Sequence, residues 1–312
     1  MTETGAALRA GQQVLVTGHR GLIGRVTAAA LQEAGLSVVG LDLADNDDIT
    51  DPRTVRQRMR GCAGLVHLAA VDDEPIEPDP LTPATTGGVD QVMATNVGGT
   101  SQLLAAAADT GLQRVVFMSS VDVLGCFMGR GTPKYLPIDD HHPVDPHGPY
   151  AWSKLAGEEL CAALTLRTGT PTVCLRPPGV FTAETYAFIR SARLQRPEVE
   201  WSPIWEYGAF LDVRDLASAI VAALMVPDLV GHHRHLVCAD DISSATDDSR
   251  TLAHRLLPEV PITSPERFID RPFASLVDSA GAQALLVWRP RHSWRPSAQA
   301  PRLDQPPSEA IT

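Results

Sequence analysis

Residues 16–24 read VTGHRGLIG and place Gly18, Gly21 and Gly24 between an apolar run, QQVLVTG, and a helix-patterned run, LIGRVTAAALQEAG. Glycine is needed where the backbone turns sharply and must approach a pyrophosphate with no Cβ in the way. The N-terminus of the following helix then offers free N–H groups and a partial positive charge to that anion. Three spaced glycines are common; strand before and helix after, at the start of a chain, make this set informative. Asp42 ends the next strand-like run, LSVVGLDLAD. A carboxylate there accepts hydrogen bonds from the adenosine ribose hydroxyls and repels a 2′-phosphate, which favours NAD over NADP. Arg20, inside the loop, pulls the other way, because a guanidinium at this place can bind that phosphate.

Outward from the loop, strand and helix patterns alternate. DPRTVRQRMRG is a helix opened by Asp51 with Pro52 in its first turn, and AGLVHLAA is a strand. GVDQVMATNVGGTSQLLAAAADTG is a long helix, QRVVFMSS a strand, LAGEELCAALTLRTG part of another helix, and TPTVCLRP a strand. Nearly all-apolar strands alternating with helices imply an α/β fold: a doubly wound parallel sheet covered on both faces. Two loops, 72–88 and 126–149, follow strand ends, where such a sheet places its ligands. Residues 12–176 are expected to form the dinucleotide-binding domain, rejoined by 210–226. Residues 177–209 and 227–289 are expected to form a small C-terminal substrate-binding lobe. Residues 290–312, with five prolines and no periodicity, are expected to be a flexible tail.

Composition narrows the classes of function. Twenty-six basic against 37 acidic residues, a net −11, argue against a nucleic-acid partner. No apolar run is long enough to span a bilayer and the N-terminus shows no secretory pattern, so a cytoplasmic protein without membrane attachment is expected. Cys62, Cys126, Cys161, Cys174 and Cys238 are scattered and form no CxxC pair, which speaks against zinc or a disulfide framework. DDHHP at 139–143 and GHHRH at 231–235 read as loop and turn histidines, and no metal is expected. WSPIWEYG at 201–208 clusters aromatics that either pack the lobe or wall the substrate site.

GPYAWSK at 148–154 puts Tyr150 and Lys154 one helical turn apart. With the other motifs in order, the chain resembles the extended short-chain dehydrogenase/reductase family, also called the NAD-dependent epimerase/dehydratase family, over residues 12–226. TGHRGLIG matches its TGxxGxxG, SSVDVLG at 119–125 its SSxxVYG, and YAWSK its YxxxK; HLAA, TNVGGT, DITD and FLDVRDLA match further motifs. The resemblance implies a Rossmann-type fold and an NAD site made by His19, Arg20, Leu22 and Ile23 with the three glycines and Asp42. It further implies Asp48 and Ile49 at the adenine, Leu68, Ala69 and Ala70 along the cofactor, and Pro177 beside it. Ser120, Tyr150 and Lys154 become the catalytic set, supported by Asn96; Tyr150 and Lys154 also meet the cofactor. A small-molecule substrate and a homodimer are expected.

Such a tyrosine acts as proton donor or acceptor. A free phenol, with a pKa about 10, is only ~0.1% ionised at pH 7. A lysine one turn along and an oxidised nicotinamide favour the phenolate, and a shift of about three units needs roughly 4 kcal/mol. Nucleotide-sugar members usually have an asparagine where this chain has Gly179 in RPPGVF, and an arginine just before the FLDV-like segment, where this chain has EYGAFLDV with Glu206. Trp152 replaces the usual small residue. These departures favour a smaller substrate without a diphosphate. The leading expectation is an NAD-dependent oxidoreductase acting at a secondary alcohol or ketone of a sugar, sugar acid or secondary metabolite. The alternatives are an NAD-retaining epimerase or dehydratase and a non-catalytic NAD-sensing regulator.

Overall fold

The computed structural model describes residues 6–72, 86–195, 203–244 and 246–295. In chain order the elements are β1 Gln13–Thr17, α1 Leu22–Glu33, β2 Ser37–Leu41, α2 Pro52–Met59, β3 Cys62–His67, α3 Val89–Val92, α4 Thr100–Thr110, β4 Arg114–Met118 and α5 Gly148–Thr168. They continue with β5 Thr172–Arg176, β6 Val180–Phe181, α6 Ala183–Gln195, β7 Leu211–Asp212, α7 Val213–Met225, β8 His232–Leu236, α8 Ser249–Leu256 and α9 Ala280–Leu286. A π-helical stretch, Met93–Gly99, joins α3 to α4.

Six parallel strands form one sheet in the order β2-β1-β3-β4-β5-β8. The chain starts in the middle, winds outward to β2, then crosses back past β1 to β3, which is the doubly wound arrangement expected. Alternate residues serve opposite faces. Val14, Val16, Val66 and Val116 pack with Leu216, Ile220 and Leu224 of α7. Leu15, Leu65, Val115 and Phe117 pack with residues of α2, α4 and α5 on the other face. A separate cluster, including Leu136, Ile138, Leu252, Phe268 and Leu276, is the core of the lobe beyond the strands' carboxyl ends.

The lobe boundaries differ from the sequence reading in two places. Residues 232–236 were expected in the lobe, yet β8 is the sixth strand of the main sheet, paired with β5. Its sequence, HHRHL, hides a strand because an edge position leaves its first four residues only half-buried. Residues 290–295, placed with the flexible tail, are held against the main domain. The buried carboxylate of Asp215 accepts from the backbone N–H groups of Arg291 (3.0 Å) and His292 (2.9 Å). Trp294 is buried among Phe181, Tyr186 and Phe210. Side chain to backbone bonds and one inserted ring leave no periodic trace in a sequence. The rest of the expected tail, 296–312, and most of the loop 72–88 lie outside the described residues.

Candidate active site

The glycine loop sits at the carboxyl end of β1, and its glycines are required by close approach. Gly18 has φ 67°, and a Cβ there would lie 2.9 Å from the Ala69 nitrogen; at Gly24 it would lie 2.1 Å from the Gly18 oxygen. Thr17 Oγ1 accepts from the N–H groups of Leu68 (3.1 Å) and Ala69 (3.2 Å), which ties the end of β3, and with it Ala70, beside the loop. Helix α1 begins with Leu22 and Ile23 after Gly21, which caps it with no side-chain hydrogen bond. Its first-turn N–H groups therefore keep their donor capacity for an anion. Asp42 follows β2, as expected, and its Oδ2 accepts from the Arg20 backbone N–H at 2.9 Å.

The two residues expected at the adenine also have structural partners. Asp48 Oδ1 accepts from both the backbone N–H and the hydroxyl of Thr50, each at 2.8 Å, and so ties its own turn. Ile49 is buried in the core under α4, against Gly99.

Asn96, in the π-helical stretch, is buried and fully engaged. Its Oδ1 accepts from Val71 N–H (2.8 Å), while Nδ2 donates to the Val71 carbonyl (2.8 Å) and to Ser153 Oγ (2.9 Å). Ser153 in turn donates to the Tyr150 carbonyl at 2.7 Å. Asn96 thus positions both the segment after β3 and the first turn of α5. Lys154 is buried, donates from Nζ to the Met118 carbonyl (2.8 Å), and lies 5.3 Å from the centre of the Tyr150 ring. Burial pushes its pKa down to about 8, against the opposing pull of Asp72 and Asp122. Ser120 caps a single helical turn after β4 and donates from Oγ to Asp122 Oδ2 at 2.9 Å.

Ser120 and Tyr150 line a cleft of about 170 Å³ with Pro177, Gly179, Asp72, Asp122 and Glu206. Arg130 and His147 of the loop 126–149 also reach it, with Arg130 Nη1 donating to the His147 carbonyl at 2.9 Å. Trp152 is 56% exposed and belongs neither to the core nor to the cleft lining.

Asp72, Asp122 and Glu206 are the cleft carboxyls that sequence reasoning did not assign. Asp122 was visible, two residues past Ser120 in the quoted motif. Glu206 needed the lobe to fold over the cleft. Two consecutive residues, Glu206 (φ 51°, ψ 38°) and Tyr207 (φ 60°, ψ 28°), adopt the left-handed conformation that costs non-glycine residues energy. The turn is anchored by the buried Tyr207 hydroxyl, which donates to the Cys126 carbonyl, and by the Gly179 N–H, which donates to the Glu206 carboxyl. A Cβ at Gly179 would come 3.2 Å from Glu206 Oε2, so the missing asparagine side chain is the space this carboxyl uses.

Burial, then the charge of Asp122, pushes the Glu206 pKa up to about 8, with the Gly179 N–H opposing. A carboxyl whose folded pKa lies above its unfolded value keeps its proton in the folded state only. Folding stability therefore falls as pH rises from the ordinary carboxylate range through about 8, and is level above. Glu206→Gln is expected to remove this slope. Urea unfolding at pH 5 and pH 8.5 checks it: the variant should gain on the wild type at the higher pH, and parallel curves would refute the assignment.

The remaining polar features are structural. His67 bridges Thr17 Oγ1 (2.7 Å) and Thr100 Oγ1 (2.8 Å), and burial holds its pKa down to about 3. His142 accepts the Lys134 N–H and His235 pairs with Asp140. The five cysteines are buried. Among the described residues no helix is long and apolar enough to cross a membrane.

The sequence profile of the NAD dependent epimerase/dehydratase family matches residues 14–239, most of the chain. The chain belongs to this family. A UDP-glucose 4-epimerase of Streptomyces lividans is 31% identical over 166 residues, 47% of this chain and 45% of that protein. Cinnamoyl-CoA reductase 1 of Petunia hybrida is 24% identical over 283 residues, 81% of this chain and 79% of that one. The petunia protein apart, the matches span about half the length of the curated relatives. A short-chain dehydrogenase/reductase superfamily protein from Agrobacterium tumefaciens, solved with bound NAD, superposes with a TM-score of 0.64 at 22% identity, covering 91% of this chain and 94% of that one. It shares the fold. The family is NAD-dependent, and this chain's residues fit NAD: the loop leaves no room for a Cβ at Gly18 or Gly24, the first turn of α1 is uncapped, and Asp42 follows β2 beside the loop.

Proposed function

We propose that the chain is an NAD-dependent oxidoreductase that interconverts a secondary alcohol and a ketone on a small, sugar-like or secondary-metabolite substrate lacking a diphosphate. One observation carries the reading: Ser120 and Tyr150 line one cleft together with the carboxyls of Asp72, Asp122 and Glu206, and Lys154 lies against the Tyr150 ring. The triad handles a proton at a carbinol oxygen, and the Glu206 carboxyl takes the space beside Gly179 where nucleotide-sugar members carry an asparagine.

NAD, when bound, supplies the hydride acceptor or donor. The chain's own residues manage the proton. Tyr150, with the Lys154 ammonium beneath its ring, takes the hydroxyl proton during oxidation and returns it during reduction. Ser120, whose hydroxyl otherwise donates to Asp122, turns that proton to the substrate oxygen and holds it toward Tyr150. Asn96, through Ser153, keeps the first turn of α5 in place while this happens.

Steady-state NADH formation with uncharged polyols and aldoses, beside UDP-, GDP- and dTDP-sugars, tests the reading. Turnover is expected in the first group and none in the second; efficient conversion of a nucleotide sugar would sink it. The identity with the Streptomyces epimerase favours a second reading, in which cofactor is retained and a sugar carbon inverted. Epimer formation without net NADH would select that one. The intact Ser120, Tyr150 and Lys154 weigh against a regulator that binds the dinucleotide and turns nothing over.

A further inference from the structure

The adenosine end of the cofactor groove contains a second acid with a separate task. After β2 the chain makes one tight turn, Leu43–Asp45, closed by Asn46 in the left-handed conformation (φ 61°). Asp42 caps the turn, its Oδ1 accepting from Ala44 N–H and its Oδ2 from Arg20 N–H, both at 2.9 Å. The other end of the turn points Asp45 at the same glycine loop. The Arg20 guanidinium folds onto Asp45 Oδ1, and His19 Nε2 lies 3.3 Å from Asp45 Oδ2. Gly40 of β2 makes the seat for the His19 ring, since a Cβ there would come within 2.5 Å of it. Asp45 thus gathers the two basic-capable side chains of the loop, and the Arg20 hydrogen bond holds its carboxyl below the ordinary range.

Asp42 alone leaves cofactor choice contested. A guanidinium whose own backbone N–H touches Asp42 is within reach of any phosphate placed beside that carboxylate, and arginine is well suited to bind one. We propose that Asp45 is a positioning residue for cofactor choice, which holds Arg20 away from the ribose and so enforces NAD over NADP. Arg20 is 57% accessible and Asp45 half-buried, so the pair acts as a tether and contributes little to stability.

The test needs no substrate. Dissociation constants for NADH and NADPH are measured by calorimetry on the full chain, as wild type, Asp45→Asn, Asp45→Ala, and each with Arg20→Ala. Asp45→Ala is included because asparagine can still accept from Arg20. Asp45→Ala is expected to tighten NADPH about tenfold, in line with one charge-assisted hydrogen bond regained, and to leave NADH within about threefold. Adding Arg20→Ala should abolish that gain. A gain under about threefold overturns the proposal, as does an equal gain for NADH. A gain that survives Arg20→Ala also overturns it, because Asp45 would then act only through its charge. Unchanged melting temperatures confirm that the variants fold.

Discussion

Tyr150→Phe is expected to lower kcat by about 10²–10⁴-fold, the usual contribution of a general acid–base group, while NADH affinity stays within about twofold. Phenylalanine keeps the ring over Lys154 and the backbone carbonyl that Ser153 holds, so the first turn of α5 keeps its shape. Only the proton-carrying oxygen is lost. Lys154→Ala behaves differently, because it deletes a buried ammonium bonded to the Met118 carbonyl as well as the charge beneath the phenol. Its activity and cofactor affinity should fall together. Ser120→Ala should be milder, since it loses one substrate hydrogen bond and not the transferred proton. Single-turnover fluorescence of NADH, with cofactor titration of each variant, separates the three. If Tyr150→Phe kept most of the rate, the proton would come from another group and the assignment would be wrong.

The largest stability effect is expected four residues beyond Lys154. Tyr150, Lys154 and Glu158 recur every four residues on one face of α5, from the cleft into the interior. Glu158 is completely buried and accepts from Ser119 Oγ (2.6 Å) and from Arg176 Nε (2.8 Å) and Nη2 (2.7 Å), with Arg234 Nε at 3.5 Å. One carboxylate therefore joins α5 to β5, β8 and the end of β4. Glu158→Ala would leave the buried Arg176 guanidinium uncompensated, a loss of about 3–5 kcal/mol. Replacing both partners, as in Glu158→Leu with Arg176→Met, should cost less than the single change, because no orphaned charge remains. Denaturant midpoints of the singles and the double make the comparison. A cost below about 1 kcal/mol for Glu158→Ala would mean that water reaches Arg176 readily.

The two proposed specificity devices, one at the glycine loop and one at the cleft, follow one pattern. At the adenosine end Asp45 restrains Arg20; at the reacting end Gly179 leaves the space that Glu206 occupies. In each, a residue that reads in isolation as an ambiguous charge or a missing side chain acquires its meaning from a partner across the fold. The conflict between Asp42 and Arg20, open in the sequence, becomes a three-residue arrangement. The absent asparagine becomes room for an acid.

Local chemistry made much of this protein legible before folding. The glycine loop, the strand–helix alternation, Tyr150 with Lys154, and Ser120 each depend on residues close in the chain, where steric demand and helical spacing act directly. The sequence by itself therefore determined the doubly wound sheet and the cofactor loop, and it named Ser120, Tyr150 and Lys154, which the fold brings together. Tertiary structure alone decided the rest. The polar strand β8 exists because β5 offers it an edge, and residues 290–295 are ordered because Asp215 and an aromatic nest receive them. Glu206 reaches the cleft because a left-handed turn in the lobe carries it there, and Ile49 is core because α4 covers it. Such positions are set by contacts between distant segments, whose free energy is gained only when burial and hydrogen bonding across the fold offset the cost of ordering both sides.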